Sequence, residues 1–113
     1  MNGNAEEWKT VLMMGNEAIA RGALEAGVSY ATGYPGNPSS EIIETLLRHH
    51  SKHRPVAEWS VNEIVALEAA AAFAFAGRLA MATMKQNGLS VCSDFLTTVC
   101  LDRFPGGLLV VVC

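Results

Sequence analysis

Glu63 stands at the head of an otherwise apolar run, SVNEIVALEAAAAFAFAG, from Ser60 to Gly77. Between Val61 and Ala76 only Asn62, Glu63 and Glu68 are polar, so a helix over this run should be deeply buried. Two roles suit a carboxylate at that point. Ser60-Val61-Asn62-Glu63 reads as a capping box, S-x-x-E, in which Glu63 accepts from the Ser60 backbone amide. The other role is a working acid. Burial disfavours the charged carboxylate and the helix N-terminus favours it, an opposition suited to a group that shares a proton. Pattern alone leaves both open.

The turn Gly33-Tyr34-Pro35-Gly36-Asn37 is the second chemical candidate. Pro35 within it and Pro38 just after it interrupt the pattern, so it is not the G-x-G-x-x-G dinucleotide fingerprint, and no GxxxxGK[ST] occurs. It is either a stiff connector or a fixed backbone edge against which a flat ligand rests. His49, His50, Lys52, His53 and Arg54 cluster further on. His49 and His53 have i, i+4 spacing, but no nearby carboxylate or cysteine completes a metal shell, so cations at a helix C-terminus are expected. Cys92, Cys100 and Cys113 have no zinc or iron–sulfur spacing. They read as buried, reduced thiols of a cytoplasmic protein, and no metal site is expected in the chain.

These residues need a scaffold, and the pattern supplies an alternation of helices and short β-rich runs. Asn16, or the residue before it, is placed to cap a helix over 17–26, with Gly27 as its left-handed stop. Val28–Gly33 reads as a strand, and Asn37 as the N-cap of a helix running from Ser39 to about His53, with Pro38 at its first position. Val56–Trp59 and Leu79–Met84 read as strands on either side of the Glu63 helix. Lys85–Gly88 reads as a loop, Leu89–Asp102 as a helix, and Leu108–Cys113 as a buried parallel strand. This order predicts an α/β fold with a doubly wound, mostly parallel sheet and helices on both faces. Ligands bind past the carboxyl ends of such strands, here Gly33–Asn37, Trp59–Glu63 and Lys85–Gly88.

The 113 residues suit one domain, half hydrophobic and 17% charged. A net charge of −3 gives no electrostatic footprint for nucleic acid or an anionic membrane. No secretory signal is expected from the opening MNGNAEEW, and the apolar runs are too short to span a bilayer. The run VVVC ends inside an expected core strand, so a piece of a longer protein is expected.

At this point four blocks of sequence resemble one family. "NEIVALEAAAAFAFAG" resembles the cofactor-binding helix of thiamine diphosphate enzymes, which opens on a glutamate and runs through small residues to a glycine. "GNEAIARGALEAGVSYATGYPGNPSSEI", "TMKQNGLSVCSDFL" and "GGLLVVV" are similar to the start of an α subunit of the 2-oxoacid:ferredoxin oxidoreductases. The resemblance runs from about Val11 to the end and implies a thiamine diphosphate pyrimidine-binding domain over residues 1–113, the N-terminal portion of a larger subunit. It gives Glu63 a role, a hydrogen bond to N1′ of the cofactor's aminopyrimidine, through which a proton is supplied and taken back. The cofactor's thiazolium then accepts the electrons released when a 2-oxoacid loses carbon dioxide.

Pro35, Gly36 and Asn37 correspond to the family's YPGTP loop near cofactor and substrate, with Asn37 where threonine is usual. Asn87 and Gly88 match a segment bordering the cofactor pocket. The family's GDG…N magnesium motif and cysteine-rich ferredoxin motifs do not occur in these residues. The resemblance therefore implies Mg2+ held by a diphosphate-binding domain or subunit, and iron–sulfur clusters elsewhere in the complex. It also implies ferredoxin, coenzyme A and an aryl or branched 2-oxoacid as partners, a dimer, and an isolated chain that is inactive and binds cofactor weakly. Two alternatives stand beside this reading: a subunit of a split non-oxidative 2-oxoacid decarboxylase, and a non-catalytic docking module.

Overall fold

The protein is described here from a computed structural model covering residues 8–49 and 55–113. Its elements are α1 (Gly15–Glu25), β1 (Tyr30–Gly33), α2 (Ser40–Arg48), β2 (Val56–Trp59), α3 (Glu63–Phe75), β3 (Leu79–Met84), α4 (Gln86–Val91), α5 (Ser93–Val99) and β4 (Gly107–Val112). The four strands form an all-parallel sheet in the order β2-β1-β3-β4. The chain winds from β1 outward to β2, crosses back through α3 to β3, and continues to β4. The winding therefore reverses between β1 and β3, which is the predicted doubly wound arrangement.

Helices cover both faces. Ala20 and Ala23 of α1 and Ile42, Ile43 and Leu46 of α2 pack with Ala31 and Met81 on one side. Leu67 and Ala70 of α3 pack with Tyr30, Ala80, Ala82, Met84 and Cys92 on the other. The alternation of strand residues between these clusters follows from the two-residue side-chain period. Both β1 and β3 lie in the middle of the sheet, and every residue of β1 is buried.

Small residues let α3 approach the sheet closely. Ala66, Ala70, Ala71 and Ala74 are all within 1% of full burial, and the Phe73 ring stacks on Tyr30 at 4.0 Å, nearly parallel. The expectation that this helix is deeply buried is corrected: Ile64, Val65 and Phe75 are exposed, as is Val61 just before it, so α3 buries one face only. Leu67 is fully buried while Glu68, the next residue, is exposed. Gly77 closes the helix in the left-handed region at φ 83°, as Gly27 does for α1 at φ 81°.

Four local expectations are also revised. The helix α1 begins at Gly15, and the Met14 amide donates to Glu17 Oε2 at 2.9 Å, so Asn16 is not its cap. The helix α2 begins at Ser40 and ends at Arg48, so neither Asn37 as N-cap nor Pro38 as first helical residue holds. His49 is exposed at its end, whereas His50, Lys52, His53 and Arg54 lie outside the described residues. Residues Gln86–Gly88 are the first turn of α4 rather than a loop, and the expected long helix is divided at Cys92. The three cysteines are free, but only Cys92 is buried; Cys100 is exposed and Cys113 intermediate.

Candidate active site

The carboxyl ends of β1, β2 and β3 each feed one segment into the crevice where the winding reverses. After β1 comes Tyr34–Ser39, after β2 the start of α3, and after β3 the start of α4. Backbone bonds draw the first two together: the Ser60 amide donates to the Gly33 carbonyl at 2.9 Å. The Ser60 and Thr32 hydroxyls share a second bond at 2.8 Å. This use of Ser60 replaces the predicted capping box. The N-cap of α3 is Asn62, whose Oδ1 accepts from the Val65 amide at 2.9 Å.

Glu63 is thereby freed from capping and becomes the first helical residue, half-buried at the positive end of α3. Its side chain lies against Gly88 of α4. A Cβ placed on Gly88 would stand 2.6 Å from Glu63 Cγ and 3.0 Å from Glu63 Oε1. Cys92 follows one turn later on the same short stretch. Its thiol is pushed up from the ordinary range, first by burial and then by the charges of Glu63 and Glu68. The structure thus brings Glu63 and Gly88 into direct contact.

Gly36 is held on the other side of the crevice. Its amide donates to Ser40 Oγ at 2.8 Å, and its carbonyl accepts from the Ser39 and Ser40 amides at 3.0 and 3.1 Å. Asn16 reaches across from α1, its Nδ2 donating to the Pro38 carbonyl at 2.6 Å and to Glu41 Oε2 at 3.0 Å. The turn is therefore anchored from α1 and α2 together, while Pro35 and Asn37 are exposed. Asn87 is exposed on the rim of α4, and neither Asn37 nor Asn87 makes a side-chain hydrogen bond among the described residues.

Sequence reasoning missed three contributors. Lys85 is the N-cap residue of α4, and its aliphatic stem passes Gly36, so a Cβ there would meet Lys85 Cδ at 3.5 Å. This brings the β1 and β3 ends together and sets an exposed cation at the crevice mouth. Ser40 fastens the turn, a role hinted at by the Ser39-Ser40-Glu41 sequence. Asn16 needs tertiary contact to be seen. Among the described residues no group of three or more His, Cys, Asp or Glu is placed to hold a metal ion, and no helix is long and apolar enough to cross a membrane.

No family model matches the chain. It is 46% identical over 102 residues to the indolepyruvate oxidoreductase subunit IorA of Pyrococcus horikoshii, covering 90% of this chain and 16% of that protein. It is 45% identical over 111 residues to IorA of Archaeoglobus fulgidus, covering 93% of this chain and 18% of that protein. The 2-oxoglutarate synthase subunit KorA of Archaeoglobus fulgidus is 32% identical over 94 residues, 83% of this chain and 27% of that protein. A solved 2-oxoglutarate:ferredoxin oxidoreductase from Magnetococcus marinus, with 2-oxoglutarate, coenzyme A and succinyl-CoA bound, superposes with a TM-score of 0.79. The match has 23% identity and covers 88% of this chain and 18% of that one, and it bears out the fold. The chain spans about a sixth of the length of the curated IorA relatives it matches. Over 90% of its length this chain is a homologue of the IorA subunits.

Proposed function

We propose that these residues form the pyrimidine-binding half of a thiamine diphosphate site in an indolepyruvate-type 2-oxoacid:ferredoxin oxidoreductase, which decarboxylates a 2-oxoacid oxidatively to an acyl-CoA. The observation that carries this reading is the Glu63 carboxylate, released from capping and held half-buried against Gly88 where the sheet's winding reverses. A single carboxylate at the mouth of an apolar helix fits a ring nitrogen that must be given a proton. The Gly88 position, which has no room for a side chain, fits a tightly packed wall beside it.

When bound, thiamine diphosphate supplies an electron sink for cleavage of the bond beside a 2-oxoacid's carbonyl. The chain's own work is positional and protonic. Glu63 Oε holds the proton for the aminopyrimidine N1′ and takes it back, and Asn62 fixes the helical turn from which Glu63 projects. In this reading Pro35, Gly36 and Asn37 would border the ring from the turn after β1, and Asn87 and Gly88 from the start of α4. The amide of Asn37 replaces the hydroxyl usual there, which bears on substrate preference.

The diphosphate and Mg2+ belong in this reading to a diphosphate-binding domain or subunit outside these residues. Iron–sulfur clusters, ferredoxin and coenzyme A belong to the remainder of the complex. A dimer is part of the proposal, and the exposed Val61 before α3 with Ile64, Val65 and Phe75 on it support burial against another unit. The free thiols support a reducing, cytoplasmic location. The names of the relatives favour an oxidoreductase over a split non-oxidative decarboxylase or a docking module. The test is Glu63→Gln in the complete assembly, which keeps the shape and removes the proton. A fall in kcat of about 100-fold or more is expected, and unchanged turnover contradicts the reading.

A further inference from the structure

Gly88 is the third residue of α4, buried, and not in the left-handed region, which among the described residues only Gly27 and Gly77 occupy. Nothing in its backbone calls for glycine, and alanine is the better helix former at such a position. What excludes a side chain is Glu63. A Cβ at Gly88 would stand 2.6 Å from Glu63 Cγ, 3.1 Å from Cδ and 3.0 Å from Oε1. The closest clash falls on the middle of the glutamate side chain, so bending its tip cannot relieve it. The side chain must leave for another rotamer, and the carboxylate moves with it. Gly36 is a different case, since a Cβ there meets only Lys85 methylenes at 3.5 Å or more, ordinary contact.

Cys92 lies one turn beyond Gly88, and its thiol is pushed up first by burial and then by the charges of Glu63 and Glu68, in keeping with that placement. We infer that Gly88 is a positioning residue, whose missing Cβ leaves the space that holds the Glu63 carboxylate in the crevice. The inference rests on the reading of Glu63 as the group that serves the aminopyrimidine. It is distinct from the bordering of the ring proposed for Gly88 above, because this effect passes through Glu63.

A double-mutant cycle on the complete assembly separates these cases. Wild type, Gly88→Ala, Glu63→Ala and the double variant are compared in turnover, in thiamine diphosphate affinity by calorimetry with Mg2+, and in Tm without cofactor. Gly88→Ala is expected to lower kcat about 100-fold, the scale of a misplacement of about 1 Å, with Tm unchanged or raised. The double variant is expected to match Glu63→Ala in turnover and affinity. A crystal structure of Gly88→Ala is expected to show Glu63 turned out of its present rotamer.

Three results overturn the inference: wild-type turnover in Gly88→Ala, a further loss on adding Gly88→Ala to Glu63→Ala, or a fall in Tm that persists in the double variant. Failure of the functional reading is distinguishable. It shows as wild-type turnover in Glu63→Ala, whereas an inactive Glu63→Ala beside a fully active Gly88→Ala removes the positioning role alone.

Discussion

Gly33 ends β1 at the centre of the sheet, opposite Trp59 on one side and Thr83 on the other. Its φ is not positive, so the demand for glycine is spatial. A Cβ there would stand 2.5 Å from Thr83 Oγ1, 2.8 Å from the Thr83 carbonyl oxygen and 3.4 Å from Ile43 Cγ1. The first of these lies roughly 1 Å inside favourable contact. Rotating Thr83 relieves the hydroxyl, but the carbonyl is backbone and moves only if β1 and β3 separate. Overpacking of this kind costs about 2–3 kcal/mol, the upper part of the usual range. Alanine returns about 0.5–1 kcal/mol by restricting the unfolded chain, which leaves a net loss of about 1–2.5 kcal/mol for Gly33→Ala. Urea denaturation followed by far-ultraviolet circular dichroism reads this as a lower midpoint at unchanged slope. Adding Thr83→Ala removes one of the two oxygen clashes, so partial recovery is expected. A Gly33→Ala loss below about 0.5 kcal/mol refutes the steric reasoning, and complete recovery in the pair refutes the part assigned to the carbonyl.

Asn62→Ala removes the acceptor for the Val65 amide and is expected to lower stability by about 1 kcal/mol. Asn62→Asp, which can still cap, should restore it in the same denaturation assay. Tyr30 is buried and its hydroxyl donates to Glu58 Oε1 at 2.6 Å; burial and then that bond push its pKa up to about 12. The neutral phenol is thus favoured in the fold, a contribution complete below about pH 10 and lost as pH rises towards 12. Unfolding free energies from urea denaturation should fall across that window by on the order of 1–2 kcal/mol more in wild type than in Tyr30→Phe, and parallel profiles contradict the assignment. The isolated chain titrated calorimetrically with thiamine diphosphate and Mg2+ is expected to bind more weakly than micromolar, since most of the ligand's charge belongs to the metal site. Micromolar binding contradicts that division of labour.

Much of the scaffold was legible because periodicity and breakers agreed with each other. Leu79–Met84 is a strand with the predicted bounds, since its run of small and apolar residues suits burial on both faces. Gly27 and Gly77 stop helices as expected, because no other residue takes positive φ cheaply. The same sequence reading located the three strand ends that form the crevice. It failed where two local signals competed. Ser60 and Asn62 are both N-cap residues two positions apart, and tertiary demand decided between them: Ser60 is drawn to Thr32, so Asn62 caps α3.

Asn37 lost its capping role to a similar cause. The Gly36 carbonyl gathers the Ser39 and Ser40 amides, so α2 starts at Ser40. Gln86-Asn87-Gly88 looked like a loop because Asn and Gly are weak helix formers, yet packing of Gly88 against Glu63 outweighs that propensity. The exposed apolar face of α3 was illegible for another reason. A uniformly apolar helix carries no pattern that says which side faces the sheet, so Leu67 and Val65 look alike in sequence.

The position of the Glu63 carboxylate relative to the cofactor decides the account. A structure of the complete assembly with thiamine diphosphate bound measures it directly. A Glu63 Oε within about 3.2 Å of the aminopyrimidine N1′ is the expected result. A Glu63 side chain turned to bulk solvent, with another group at N1′, contradicts the account.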